Sequence, residues 1–498
     1  MLTWLRQLVL PGATPRRIAR VRAKYDAAQT THENRRHWAN ADLLSANAAN
    51  SAEVRRVLRS RARYEVANNS YAKGIVQTLA HYVVGTGPRL QMLTEDAEAN
   101  RLIEREFLRW ARAIGLAHKL RTMRIAQAES GEVFGVLATN QRVAAPVQLD
   151  LKLVEADQVA TPITLRASCG QDNVIDGVML DEFRNPVAYF VMRRHPGDAG
   201  PFTLEGSDFE LLPAETVIHL HRTERPGQNR GVPEITPALP LFAMLRRYTL
   251  AVLGSAEQAA LPSGVIYTDA PADAEAAGVE PMDSVEMERG TWLTMPFGWK
   301  IGQVKAEQPT TVYRDFKHEI INEIARCLNM PFNIAAGNSS GYNYASGRLD
   351  HQAFFKSVRI DQAFLADVVL DRVFAAWLSE AVLIENYLPQ AARSVDVDLP
   401  HQWFWDGFEH VDPAKEASAQ DVRLRSGLTS FPREYAILGL DYEEEQRKQA
   451  EALGVSLDEY RRMLRESLFG GAKSAAQPQD RPDDPASEEE LANARAAA

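Results

Sequence analysis

Residues 311–329 read TVYRDFKHEIINEIARCLN, with Val312, Phe316, Ile320, Ile324 and Leu328 each four apart. Steps of four stay on one face of a helix, so this segment is strongly amphipathic. Pro331 ends it. A second helix of similar length lies upstream at residues 236–261. Thr236-Pro237 opens it, Thr as the N-cap and Pro in the first turn, and Pro262 stops it. Between the two, residues 262–310 are rich in Pro, Gly and acid. They hold eight acidic and three basic residues, with short strand-like pieces such as Gly264–Thr268. The pattern is a small acidic module between two helices. If those helices run antiparallel, the module stands at their far end.

After Pro331 comes a small, polar, mobile loop, residues 333–347. It contains Gly337-Asn338-Ser339-Ser340-Gly341-Tyr342-Asn343-Tyr344. Residues 348–388 then lack both Gly and Pro. Their apolar positions, among them Leu349, Phe355, Ile360, Val369 and Trp377, fit one helix or a bent one. Such a helix reaches roughly 60 Å, a length that suits an elongated assembly better than a small isolated enzyme. Residues 412–470 read as short helices with clear punctuation. Asp412-Pro413 opens one and Gly427 closes it; Ser456 and Glu459 form a capping box, and Gly470-Gly471 is the stop. Residues 471–498 are Ala-, Pro- and acid-rich and read as disordered.

Toward the N-terminus, residues 51–139 read as largely helical. Asn69-Ser70 starts one helix, through Ile75, Val76, Leu79 and Val83, and Gly85 stops it. Leu102, Ile103, Phe107, Trp110 and Ile114 mark another. Then the period changes to two. Val147, Leu149, Leu151 and Leu153 alternate as in a strand; residues 174–180 and 187–193 read as two strands around an Asn185-Pro186 turn, and residues 215–222 as a further strand.

The chain has 498 residues, enough for two to four domains or one large interleaved body. At 45% hydrophobic and 24% charged it is an ordinary folded composition. Cys169 and Cys327 are too few for a disulfide framework or a four-thiolate metal site, and they read as buried small hydrophobes in a reducing setting. No segment reads as a membrane span; the most apolar, residues 238–261, is interrupted by Arg246 and Arg247. Residues 1–25 carry six basic groups and no acid, a composition shared by transit peptides and by basic arms on larger assemblies. The net charge is −10; residues 1–65, with 13 basic and 5 acidic groups, carry +8, so the remainder carries −18. Such an acidic body disfavours strong, static DNA binding, which phosphate neutralisation drives.

Catalytic patterns fail on their flanks. Gly337-Asn338-Ser339-Ser340-Gly341 matches GxSxG, the elbow of a serine hydrolase, which needs a strand before it and a helix after. Here a helix precedes, and Asp350-His351 and Asp361 share the following helix. Gly470-Gly471-Ala472-Lys473-Ser474 lacks the glycine before Lys that a phosphate loop requires. Gly85-Thr86-Gly87 runs into Pro88 and Arg89, so GxGxxG fails as well. His219 and His221 share one side of a strand, as metal ligands can, but no further ligand lies close in sequence. The reading is no catalytic residue, no metal and no cofactor, with a serine hydrolase at residues 337–341 as the rival.

Several separate stretches together resemble the lambda family of phage portal proteins. They are Ala62-Arg63-Tyr64-Glu65 with Asn68-Asn69, Tyr71-Ala72, Gly74-Ile75-Val76 and Val84-Gly85-Thr86-Gly87; Glu155-Ala156-Asp157-Gln158, Asp176-Gly177-Val178 and Pro186-Val187-Ala188-Tyr189; Arg225-Pro226-Gly227-Gln228 with Arg230-Gly231-Val232-Pro233; Asn343-Tyr344 with Ser346 and Arg348; and Asp412-Pro413. The similarity spans residues 20–470.

The resemblance implies an α+β, portal-type fold, predominantly helical with a β-containing wing and a small β-containing clip, assembling as a ring. It lays an N-terminal arm and wing over residues 1–234, stem helices over 235–261 and 311–330, and the clip over 262–310. A tunnel loop follows at 331–347, the long helix and the rest of the wing at 348–411, a crown at 412–470, and a tail at 471–498. It implies a ring of about twelve copies through which double-stranded DNA is packaged and ejected. Implied partners are the terminase large subunit, head-completion and tail connector proteins, and the major capsid and scaffold proteins, with no membrane. The place is the capsid vertex of a virion assembled in the bacterial cytoplasm. Twelve helices about 10 Å apart form a ring roughly 38 Å across their axes. Removing one helix width leaves a bore near ~28 Å, wide enough for a duplex. On this reading Asn338, Ser339, Ser340, Asn343 and Tyr344 face the DNA. Lys356 and Arg359 either attract its backbone or form a solvated helix face, and Arg348 pairs with a neighbour. Asp269, Asp273, Glu275, Glu280, Asp283, Glu286 and Glu288 either dock partners on the clip or are merely a solvated acidic surface.

Overall fold

Ser51 accepts the Val54 amide, and Asn69 accepts those of Tyr71 and Ala72, satisfying donors that the first turn of a helix leaves open. Those caps set helices α1 (Ala52–Asn68) and α2 (Ser70–Val84) in the computed structural model of the chain, which describes residues 31–162, 173–198, 208–260, 264–268, 299–303, 313–388, 399–407 and 413–469. Strand β1 (Arg89–Met92) leads to α3 (Ala97–Ala113) and α4 (Leu116–Ser130). These helices bury Ile75, Leu79, Ile103, Phe107, Trp110 and Leu120 in one core. The indole N–H of Trp110 donates to Leu149 O at 2.9 Å, so this buried side chain leaves no polar atom stranded.

The expected run of helix through residue 139 stops at Ser130. Gly131, at φ 86°, turns the chain into strand β2 (Glu132–Thr139). Its first five residues are buried, and a continuous apolar run carries neither a helical nor an alternating period. Strand β2 is the centre of an antiparallel sheet between β3 (Leu149–Val154) and, later in the chain, Val217–His221. A second antiparallel sheet holds β4 (Val174–Ile175), β5 (Val178–Leu180), β6 (Pro186–Met192) and β7 (Phe209–Pro213) in that order. Residues 174–180 are therefore a tight hairpin rather than one strand. Asp176 and Gly177 turn it with φ 46° and 86°. The next turn is built on Asp181, whose carboxylate accepts the amides of Phe183 and Asn185, and Pro186 opens β6. Strand β8 (Val217–His221) completes the first sheet. Phe134, Tyr189, Val191 and Val217 form a smaller core between the two sheets.

A single 3₁₀ turn, Thr236–Ala238, precedes α5 (Leu239–Ala260). Thr236 is not its N-cap, because its hydroxyl donates back to Pro233 O at 2.6 Å. Strands β9 (Gly264–Thr268) and β10 (Trp299–Gln303) then pair antiparallel. Helix α6 (Tyr313–Arg326) returns along α5, its first turn meeting Tyr248 and its later turns reaching residues 236–238. The two helices thus run antiparallel. Residues 269–298, with all seven acidic docking candidates, lie outside the described residues, as do residues 1–30, Cys169 and residues 470–498.

Helix α7 (Phe332–Ala336) and a turn lead into α8 (Tyr344–Leu365), a π turn at Ala366–Leu370, and α9 (Asp371–Ala381). The expected long helix thus begins four residues early, ends seven early and is interrupted once. Gln362 donates to Val83 O at 3.1 Å and ties it to α2. Past the π turn, Asp371 accepts the Trp403 indole at 2.7 Å. Trp403 belongs to β11 (His401–Phe404), which pairs with β1 across more than 300 residues. Four helices close the described chain: α10 (Pro413–Arg425), α11 (Phe431–Ile437), α12 (Tyr442–Leu453) and α13 (Leu457–Phe469). Among the described residues no helix is long and apolar enough to cross a membrane.

Behind the sheets sits a buried ionic hub. Glu132 is 0% exposed and receives Arg59, the Arg230 Nε at 2.9 Å, the Gly231 amide at 2.8 Å and His219 Nε2 at 2.9 Å. Arg230 also donates to the carbonyls of Ala156, Val159 and Asp176. Burial alone would push the Glu132 carboxyl up, but Arg230, Arg59 and His219 outweigh it and hold the acid well below its usual range. The backbone at Gly231 passes so close to Gly131 that a Cβ would overlap the Gly131 carbonyl oxygen. Gly231→Ala is therefore expected to lower stability by about 1–3 kcal/mol, read as a fall in the midpoint of a thermal melt.

Candidate functional site

Pro331 cannot continue α6, and Asn329 takes φ 52° to turn the chain into α7. Gly337, at φ 61°, ends α7 after five residues. The polar loop then folds on itself. The Asn338 amide donates to Asn333 O at 3.0 Å, the Ser340 amide to the Asn338 side chain at 3.0 Å, and the Tyr342 amide to Ser339 O at 3.1 Å. Asn343 caps α8 by accepting the Ser346 amide at 2.8 Å. A segment expected to be mobile is thus a hydrogen-bonded turn with an exposed tip.

Asn338, Ser339 and Ser340 form that tip, and Asn343 is exposed at its end. Tyr344 is the first residue of α8. Lys356 and Arg359 are exposed on α8 but stand roughly 18 and 22 Å along its axis from Tyr344. With Gln352 they share one stripe, at steps of four and three. Arg348 is also exposed. The structure therefore gathers the loop residues at one tip and sets the two cations well down the helix.

The hydrolase geometry is absent here. Ser339 follows a helix, not a strand. His351 Nε2 lies 2.8 Å from Asn333 Nδ2, so a side-chain amide occupies the nitrogen a serine base would need. Asp361 is bound by Arg222 at 2.5 Å and Arg124 at 3.1 Å. Burial is the first cause that pushes the Tyr342 phenol up, and the Asp350 carboxylate adds to it.

Among the described residues the paired histidines join no cluster of three metal-ligating groups. His219 and His221 stack with ring centroids 4.1 Å apart, and His219 gives its Nε2 to Glu132. Burial, and then His221 beside it, pull the His219 imidazole down to about 3. Glu155, Asp157 and His195 also come together, but Asp157 is already paired with Arg59 and Arg63. Cys327 is half-buried with its thiol pushed up to about 11, first by burial and then by Glu234, an inert setting for a thiol. A cleft of about 1060 Å³ between β1, α3 and α12 contains none of the predicted site residues.

Residues of the sequence resemblance fall mainly in framework positions. Arg230 and Gly231 build the ionic hub, Glu155 and Gln158 form a capping box, and Asn69 caps α2. Asn333 and His351 bridge the base of the loop. Asn333 carried no motif, and its position two residues after Pro331 was the one signal available.

A family model described as "Phage portal protein, lambda family" matches residues 32–362. The chain is 26% identical over 395 residues to a "Probable portal protein" of Halomonas phage phiHAP-1, covering 74% of each sequence. Among solved structures it is similar to a chain of the virion of a native gene transfer agent particle, with 18% identity and a TM-score of 0.44, covering 76% of this chain and 92% of that one. It is likewise similar to a chain of the neck of the empty particle, with 17% identity, a TM-score of 0.45 and the same coverage.

Proposed function

This chain belongs to the lambda family of phage portal proteins, and from that premise we propose that about twelve copies close into a ring at a capsid vertex of the virion. Double-stranded DNA is packaged and later ejected through the centre. The observation that carries this reading is the antiparallel pair α5 and α6. In sequence the paired strands β9 and β10 and the acidic residues 269–298 lie between these two helices, and the polar loop follows α6. A conduit needs this division: one end for docking, one for contact with the passing duplex.

The chain acts as a structural part, and a separate motor supplies the energy. The terminase large subunit docks on the clip during packaging, and head-completion and tail connector proteins take its place afterwards. Asp269, Asp273, Glu275, Glu280, Asp283, Glu286 and Glu288 supply the docking charge. Capsid and scaffold proteins face the wing, and the ring is assembled in the bacterial cytoplasm. DNA slides because the body is acidic: each stable phosphate pairing would add affinity and hold the duplex still. Asn338, Ser339, Ser340, Asn343 and Tyr344 touch the backbone weakly, and Lys356 and Arg359 add limited attraction.

Native mass spectrometry with negative-stain imaging tests the assembly. The expected result is a ring of about twelve subunits with a central hole. A chain that stays monomeric even with its scaffold protein present would sink the ring reading.

A further inference from the structure

The tip of the loop is only as well placed as its base. Two limbs leave that base, α7 on one side and α8 on the other, and one side-chain contact described above spans them. Asn333, 7% exposed on α7, meets His351 across the loop, with the imidazole Nε2 accepting from the amide Nδ2. The backbone carbonyl of the same Asn333 accepts the Asn338 amide, the first of the tip. One residue thus holds both the far limb and the start of the turn.

We infer that Asn333 and His351 are a positioning pair, clasping the two limbs so that Asn338, Ser339 and Ser340 are presented in one fixed orientation. The inference rests on the reading of this loop as the part that faces DNA. Three features of the site favour a clasp over a chance contact. Asn333 Oδ1 is buried and has no hydrogen-bond partner among the described residues, so the amide can reverse and accept from a protonated Nε2. The bond therefore survives either tautomer of the ring. The His351 ring is steadied by Phe355, 5.7 Å away between centroids, and the next aromatic, Phe354, packs on Tyr82 of α2. On the other limb Phe332, the neighbour of Asn333, packs against His318 of α6, the rings tilted at 36° with centroids 3.7 Å apart. A displacement of α6 thus reaches the loop through Phe332 and Asn333.

Two substitutions at one position separate the hydrogen bond from the packing. His351→Phe keeps a ring against Phe355 and removes the nitrogen. His351→Gln removes the ring and restores an acceptor for Asn333. Hydrogen exchange on the full-length assembled protein reads the result. With Phe at 351, the amides of Asn338 and Tyr342 are expected to exchange about tenfold faster, the scale of one lost hydrogen bond. Amides in the interior of α8, such as Val358, should stay at wild-type rates. With Gln at 351, the loop amides should return to near wild-type rates. In a packaging assay, His351→Phe is expected to lower the DNA retained per particle and His351→Gln to restore it. Unchanged loop exchange with Phe at 351 would overturn the clasp. Faster exchange with normal packaging would overturn the positioning role, provided that removing the loop itself stops packaging. If removing the loop does not, the DNA-facing reading has failed instead, and the exchange data alone show whether the limbs are clasped.

Discussion

Replacing Glu132 with alanine is expected to remove about 3–5 kcal/mol of stability, enough to leave much of the chain unfolded. The loss comes less from the bonds broken than from what stays behind. Arg59 and Arg230 are 4% and 2% exposed; without the carboxylate the Arg230 guanidinium would lose the acid it pairs with in the interior, and Arg59 would keep only its longer contact to Asp157 at 3.3 Å. The Gly231 amide would lose its acceptor as well. Glu132→Gln should fare little better, because it keeps the shape and loses the charge. A urea titration followed by circular dichroism reads the effect; a change under ~1 kcal/mol would show that the hub is dispensable.

The same hub sets a pH dependence. His219 is held neutral down to about 3, whereas the unfolded chain takes up its proton near the ordinary value of 6.5. Stability from this group therefore falls as pH drops from about 6.5 toward 3. Glu132 acts in the same direction: its contribution is present above the ordinary carboxylate value and is lost as pH falls through its depressed one. Glu104, raised to about 7 chiefly by burial, works the other way, losing its contribution as pH rises through 7. A His219→Gln variant isolates the histidine. It can still donate to Glu132 and cannot titrate, so it should lose less stability than wild type between pH 6.5 and 4.

Deleting residues 337–344 is expected to leave the ring assembled and to cut DNA packaging or retention by an order of magnitude or more. Ring assembly should survive because Gly337, Asn338, Ser339 and Ser340 are exposed and lie outside the cores, although Tyr342, half-buried against the larger core, is lost with them. The measurement is encapsidated DNA per particle, with ring number checked on the same sample. Normal packaging would remove the loop from the mechanism.

Much of this was legible because helices announce themselves locally. Asn69, Gly85, Pro331 and Gly427 mark boundaries by conformations that few other residues favour, and the 313–326 stripe follows from spacing alone. What escaped was non-local. Strand β2 is buried on both faces and shows no period. Strand β1 has only four residues, and its partner β11 lies over 300 positions away. The hairpin at Asp176-Gly177 was hidden inside what looked like one strand. At the loop, the tip residues were found from composition, whereas Asn333 was not, since its role depends on meeting His351 across a fold. The Glu132 hub was missed for the same reason: Arg59, Glu132 and the His219–Arg230 segment are three distant stretches of the chain.

The π turn at Ala366–Leu370 has a consequence for phase. A π turn is an α-helix carrying one surplus residue, and one residue of α-helix is about 100° of rotation. Upstream of it the rod is locked by Asp361 to Arg124 and Arg222; downstream by Asp371 to His401 and Trp403. The surplus residue is the offset that lets both sets of bonds form on a single rod. Removing it would give a more regular helix and would swing Asp371 about a quarter-turn away from the β11 side chains. Helical regularity is given up here so that the two halves of the rod can each keep their own bearing.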